Sequence, residues 1–183
     1  MRWRVRVGYP VAVLYWVLAS PTRKSILIGA IVAGFGLLVR ALAAGHLRKD
    51  RELAVSGPYA LTRNPLYFGS ALMAAGFVIA GRSWPAGILV SAYFGVFYYF
   101  VMRNEEEDLR RRFGDAFDAY AARVPLFFPV APRRKRGDAT PIEAERFSSA
   151  QYRRNREYRA LIGTVAGLGI VWLRAWIRLR FGL

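Results

Sequence analysis

Residues 57 to 76 read GPYALTRNPLYFGSALMAAG. The stretch is polar, proline-broken and arginine-bearing as far as Pro65, then turns abruptly apolar. Asn64 followed by Pro65 is a helix-start signal, because asparagine caps and proline suits the first turn. That accounts for two residues and leaves Tyr59, Arg63, Tyr67 and the Gly57-Pro58 turn without a role. A cluster of this kind at the head of an apolar helix makes the helix one wall of a site.

Apolar blocks of the same kind recur along the chain: Val7–Ser20, Ser25–Ala44 (interrupted by Arg40), Leu66–Gly81, Trp84–Met102 and Ala160–Leu173. With 55% hydrophobic residues and 22% charged ones, the chain alternates apolar and charged blocks instead of patterning evenly as a soluble core does. The second and fourth blocks approach the roughly 20 residues that a straight helix needs to cross a bilayer. The first and last have 14 residues each, about 21 Å of a core about 30 Å thick, so they are read as short spans, interfacial or re-entrant. The fold class predicted is an all-α, polytopic membrane helix bundle of four to five membrane segments. The first run, preceded by Arg2, Arg4 and Arg6, is expected to stay as an anchor, since no small-x-small cleavage site follows it.

Arg82 and Ser83 alone separate the third and fourth blocks, which therefore form a tight antiparallel hairpin. Arg48, Lys49, Arg51 and Arg63, and the dense bases after Met102, oppose the single Arg82 at the hairpin tip. The positive-inside rule then puts the 45 to 65 loop and the tail on the cytoplasmic side of a membrane, a bacterial inner membrane being the expectation, with Arg23 and Lys24 dissenting.

The excess of 28 Lys and Arg over 12 Asp and Glu, a formal charge of +16, suits nucleic acid or an anionic surface. The apolar blocks favour membrane, so anionic lipid headgroups are the expected partners and nucleic acid is not. Cysteine is absent and His46 is the sole histidine, which excludes disulfides and cysteine nucleophiles and offers no cluster for a metal.

After Met102 the helical pattern continues to about Phe113 and stops at Gly114. Asp115 is expected to cap a short helix ending near Ala122. Val124–Pro132, with three prolines among aromatics, is read as an extended cover. A basic linker and an amphipathic surface helix occupy 133–159, the helix running from Ile142 to Arg159, and an apolar helix fills 160–183. Its Gly163 and Gly167 form a small-x-x-x-small pattern compatible with a homodimer. Residues 1–132 form the core, with the motifs in 45–130. Arg40 either snorkels or lines a polar cavity with His46, and Arg103 stands beside the acidic run Glu105–Asp108.

SGPYALTRNPLYFGS, a stretch of apolar residues, and then EEEDLRRRFGDAFDAYAARVPLFFP together resemble the isoprenylcysteine carboxyl methyltransferase and phospholipid methyltransferase superfamily of integral membrane enzymes. The resemblance implies S-adenosylmethionine as cofactor, held at the cytoplasmic membrane face and covered by C-terminal helices. It implies that Arg51, Glu52, Leu53, Ala54 and Tyr59 line an adenosine pocket. Asn64, Pro65, Leu66 and Tyr67 would hold the cofactor, with Glu105 and Glu106 beside it and Glu105 and Asn64 as catalytic positions.

Arg40, His46 and Arg103 would border the pocket of a membrane-dissolved, amphiphilic methyl acceptor. Two positions depart from the pattern. Asn64 stands where the family has histidine and cannot take a proton. Val101 stands where prenylcysteine enzymes carry arginine, so a prenylcysteine carboxylate is not the expected acceptor. A sterol-reductase-type enzyme using NADPH and a non-catalytic protein binding anionic lipid are the alternatives.

Overall fold

A computed structural model describes residues 2–47, 52–130 and 147–181. Among these are seven α-helices, one 3-10 turn and no strand: α1 Arg2–Leu18, α2 Arg23–His46, the 3-10 turn Gly57–Ala60, α3 Pro65–Gly81, α4 Trp84–Phe113, α5 Asp115–Ala121, α6 Ser149–Arg154 and α7 Tyr158–Phe181. Every apolar block of the sequence becomes a helix. By length and composition α2, α4 and α7 can each cross a membrane, while α1 and α3 are shorter apolar helices. The protein is an integral membrane helix bundle.

The last helix extends well beyond its apolar block. It has 24 residues, about 36 Å at about 1.5 Å each, and so is long enough to cross. Arg174 and Arg178, which follow the apolar block, are absorbed by hydrogen bonds to the carbonyls of Val17 and Ala19 at the end of α1. The run from Ile142 to Arg159 is not one helix either. Its first residues lie outside the described ones, α6 is six residues long, and a turn with Arg156 at φ +54° separates it from α7. At the α4–α5 corner Gly114 takes the capping position and Asp115 is the first helical residue.

The chain divides into two compact units. The first comprises Met1–Leu37, Ala71–Phe100 and Arg159–Leu183. In it α2 and α3 cross where neither has a side chain: a Cβ on Gly76 would lie 2.5 Å from the Gly29 carbonyl oxygen and 2.7 Å from the Ala33 nitrogen. Tyr15, Ala80, Ala86 and Val171 form the buried cluster, and the Tyr15 hydroxyl donates to the Phe77 carbonyl at 2.6 Å. The apolar residues left exposed, such as Leu27, Ile31, Phe35, Ile162 and Val165, are what a lipid-facing surface requires.

The second unit comprises Leu38–Ser70 and Val101–Tyr158. The segment around α6 docks on the end of α2, whose last carbonyls have no partner within their own helix. Gln151 Nε2 donates to Leu47 O at 3.0 Å, and Asn155 Nδ2 to Ala44 O at 2.8 Å and Leu47 O at 3.0 Å. The Ser148 amide adds a bond to Gly45 O at 3.1 Å.

Candidate active site

All described residues singled out from the sequence fall in the second unit. The loop before α3 is fixed from two directions. Gly57 has φ +58°, and a Cβ there would meet the His46 ring at 2.7 Å. Both the conformation and the close approach need glycine. His46 Nδ1 lies 2.7 Å from Leu42 O, which can only accept, so Nδ1 carries the proton, and the ring meets Phe147 edge-on. His46 therefore shapes the loop.

The other support is the cover segment. The Arg63 amide donates to Pro125 O at 2.9 Å and the Val130 amide to Leu61 O at 3.0 Å. Buried Thr62 donates its hydroxyl to Phe127 O at 3.0 Å, and Asn64 Nδ2 donates to Leu126 O at 3.0 Å. The segment is not the extended one expected but bends at Val124 and through Leu126–Phe128, its prolines barring a regular helix, and its free carbonyls find donors in the motif. Thr62 was not singled out in the sequence. Its only signal is its place between Leu61 and Arg63 inside the motif stretch.

Above this base the motif meets the acidic run of α4. Tyr67 donates its hydroxyl to Glu105 Oε2 at 2.7 Å. Glu105 is exposed on the helix, whereas its neighbour Glu106 is buried and paired with Arg63 at 2.6 Å. Arg103, with a side chain 58% exposed, reaches Glu106 at 3.5 Å. Adjacent acids thus have opposite environments: one neutralised inside, one anchored by a phenol and open to the outside.

Tyr59 is buried, and the Tyr120 hydroxyl donates to its carbonyl at 2.7 Å. Burial, and after it the carboxylate charge of Glu105, raises the Tyr59 phenol above its usual range, with Tyr120, Tyr67 and Glu157 acting the same way. Tyr59 stays a neutral phenol at any physiological pH.

Arg40 neither snorkels nor stands alone. Its Nε pairs with Glu157 at 2.5 Å, and its Nη1 donates to Ser70 Oγ at 2.5 Å and Leu66 O at 3.3 Å. Of the cofactor positions implied by the resemblance, Pro65 is buried, Leu53, Ala54, Leu66 and Tyr67 are half-buried and Glu52 is exposed. Arg51 lies outside the described residues. The structure adds Glu157 and Ser70 to the neighbourhood. The sequence signal for Glu157 is that it is the one acid in the run RRNREYR.

Residues 41–116 match the family model described as phospholipid methyltransferase, a span that holds the whole Tyr59–Tyr67 motif and the Glu105–Glu106 pair. The chain is 34% identical over 137 residues to the cobalt-zinc-cadmium resistance protein CzcN of Cupriavidus metallidurans, covering 69% of this chain and 62% of the relative. It is 35% identical over 103 residues to the nickel-cobalt-cadmium resistance protein NccN of Alcaligenes xylosoxydans xylosoxydans, covering 56% and 47%. To the protein-S-isoprenylcysteine O-methyltransferase of Schizosaccharomyces pombe it is 30% identical over 91 residues, 50% of this chain and 39% of that one. The chain thus matches less than two thirds of the length of each of these relatives. No solved structure matches it. The family match and the yeast relative agree with the motifs of the site: residues 41–116 are similar to the phospholipid methyltransferase family, and the chain resembles an isoprenylcysteine methyltransferase over 91 residues.

Proposed function

We propose that the protein transfers a methyl group from S-adenosylmethionine to a membrane-dissolved, amphiphilic acceptor at the cytoplasmic face of the membrane. The observation that carries this reading is the Tyr67–Glu105 hydrogen bond, which joins the start of α3 to the acidic run of α4 and leaves a carboxylate exposed near the buried, neutral phenol of Tyr59. The donor set fits the cofactor: Glu105 is an anionic acceptor for ammonium or ribose hydroxyl groups, and half-buried Leu53, Ala54 and Leu66 offer apolar surface for an adenine. When bound, S-adenosylmethionine supplies an electrophilic methyl group on a sulfonium.

The chain's own part is positioning and exclusion of water, which is most of what methyl transfer asks of a protein. Tyr67 orients Glu105. Arg63 neutralises Glu106, so that of this adjacent pair only Glu105 presents its charge outward. Asn64 holds the cover at Leu126 and has no proton to accept, which makes it a positioning residue and leaves deprotonation to the acceptor or to solvent. An amine headgroup is favoured over a carboxylate, because Glu157 already occupies the Arg40 guanidinium.

The bacterial relatives carry names of metal resistance. Methyl transfer is preferred because the residues that match the family pattern are the ones brought together at Tyr67 and Glu105. Calorimetry with S-adenosylhomocysteine on detergent-solubilised protein tests it. Heat is expected from the wild type, and weaker binding from Tyr67→Phe and Glu105→Gln. Folded protein that gives no heat, yet is stabilised by NADPH, would establish the reductase alternative.

A further inference from the structure

None of the twelve acidic residues of the chain lies in the first unit. At one end of that unit four elements converge. Ser20 N donates to Gly81 O at 2.8 Å, Ser25 Oγ to Ala80 O at 3.0 Å, and Arg174 and Arg178 of α7 to the last carbonyls of α1. Arg178 also bonds to Ser20 Oγ. The end so formed carries Arg23, Lys24, Arg82, Arg174, Arg178 and Arg180. This corrects the reading of the tail: its last arginines join Arg82 instead of lying on the side away from it, because α7 is long enough to carry them there.

Two of these cations have work inside the fold, since Arg174 and Arg178 satisfy the carbonyl end of α1 and match its dipole. Arg23, Lys24, Arg82 and Arg180 are exposed, and three of them sit where the local structure disfavours them. Arg23 and Lys24 occupy the first turn of α2, which has no acid, so their charge opposes the positive end of that helix. Arg82 closes the two-residue turn at φ +46°, a left-handed position that suits glycine or asparagine. Cations kept at unfavourable positions, with no acid of the unit to pair with, favour an anion from outside.

The membrane sets its kind. Trp84, 79% exposed, follows the Arg82 turn, and Trp176 is exposed beside Arg174 and Arg178. Tryptophan belongs at the level of lipid headgroups. The geometry points to this end as a binding site for anionic phospholipid, in which the phosphate groups of the leaflet facing the Arg82 turn are gathered by Arg23, Lys24, Arg82 and Arg180. The site is independent of the methyl-transfer reading.

The test uses full-length protein in micelles and nanodiscs with phosphatidylglycerol or phosphatidylcholine, read by native mass spectrometry and thermal melting. Wild type should retain phosphatidylglycerol and melt higher with it than with phosphatidylcholine. A surface cation near anionic lipid is worth about fivefold in affinity, so Arg23→Gln/Lys24→Gln/Arg82→Gln should bind phosphatidylglycerol about a hundredfold more weakly. Arg82→Gly relieves the positive φ and must fold at least as well; alone it should lose about fivefold. Equal retention by the wild type and both variants overturns the site. Equal stabilisation by inorganic phosphate in phosphatidylcholine micelles assigns the end to free phosphate and overturns the lipid.

Discussion

Glu106→Gln is the sharpest perturbation of the site, because it keeps the side-chain shape and removes one charge. The wild-type pair is Arg63 Nη1 to Glu106 Oε1 at 2.6 Å, with side chains 16% and 10% exposed, and among the described residues buried Arg63 Nε and Glu106 Oε1 have no hydrogen bond of good geometry, which leaves the charge pairing to hold them. Removing one member of a buried pair leaves the other charge uncompensated and costs about 3–5 kcal/mol. The slight exposure of both groups puts the expectation at the lower end, about 3 kcal/mol. Arg103 adds little, being mostly exposed and 3.5 Å away. In a chain of this size about 3 kcal/mol corresponds to about 6–12 °C in melting temperature.

The loss should also spread along the backbone, since the Arg63 amide holds Pro125 O. Hydrogen exchange over 124–130 should accelerate. In reversible unfolding from mixed micelles, Arg63→Gln/Glu106→Gln should be less destabilised than the sum of the single variants by about 1–3 kcal/mol. A loss below about 1 kcal/mol in Glu106→Gln, together with additive single effects, would refute the claim that the pair is an internal brace.

Gly76→Ala should lower stability by about 1–3 kcal/mol, since the added methyl meets the Gly29 carbonyl oxygen and α2 and α3 must part; a melting curve unchanged from wild type would remove the close crossing. Alkaline stability should follow the two buried phenols. Burial raises both Tyr59 and Tyr120, so the folded state keeps protons that the unfolded chain releases. The stabilisation is complete below about pH 10 and falls above it by up to about 1.4 kcal/mol per pH unit for each phenol. Denaturation curves between about pH 10 and 12 should show the fall, and Tyr120→Phe should remove one phenol's share.

Much of the fold was legible because its signals are local. Apolar blocks, the Asn64-Pro65 start and the Arg82-Ser83 turn each act within a few residues, and the helices begin and end close to where they predict. The part of the site in Arg63, Tyr67, Glu105 and Glu106 was legible from its resemblance to a family pattern. What escaped depends on long-range pairing. Arg40 could be seen to need a partner, but its carboxylate comes from Glu157, in a segment whose pattern reads as an exposed helix. Whether α7 can cross was hidden in the same way, because an arginine counts against a span until a distant carbonyl accepts it. Asn64 reads as a cap, and its amide goes to a cover residue that no local rule connects to it.

The docking of the α6 segment on α2 sets an order of events during synthesis. The donors for Ala44 and Leu47 lie 104 to 111 residues further along the chain, so the emerging α2 has its final carbonyls served by water alone until Gln151 and Asn155 leave the ribosome. At about 5–20 residues per second that delay lasts several seconds, long enough for the apolar helices to enter lipid first. The unit carrying the candidate site is therefore closed late, by residues that are themselves remote from its chemistry. A nascent chain arrested before residue 148 would already hold every motif and still lack the clasp that finishes their assembly.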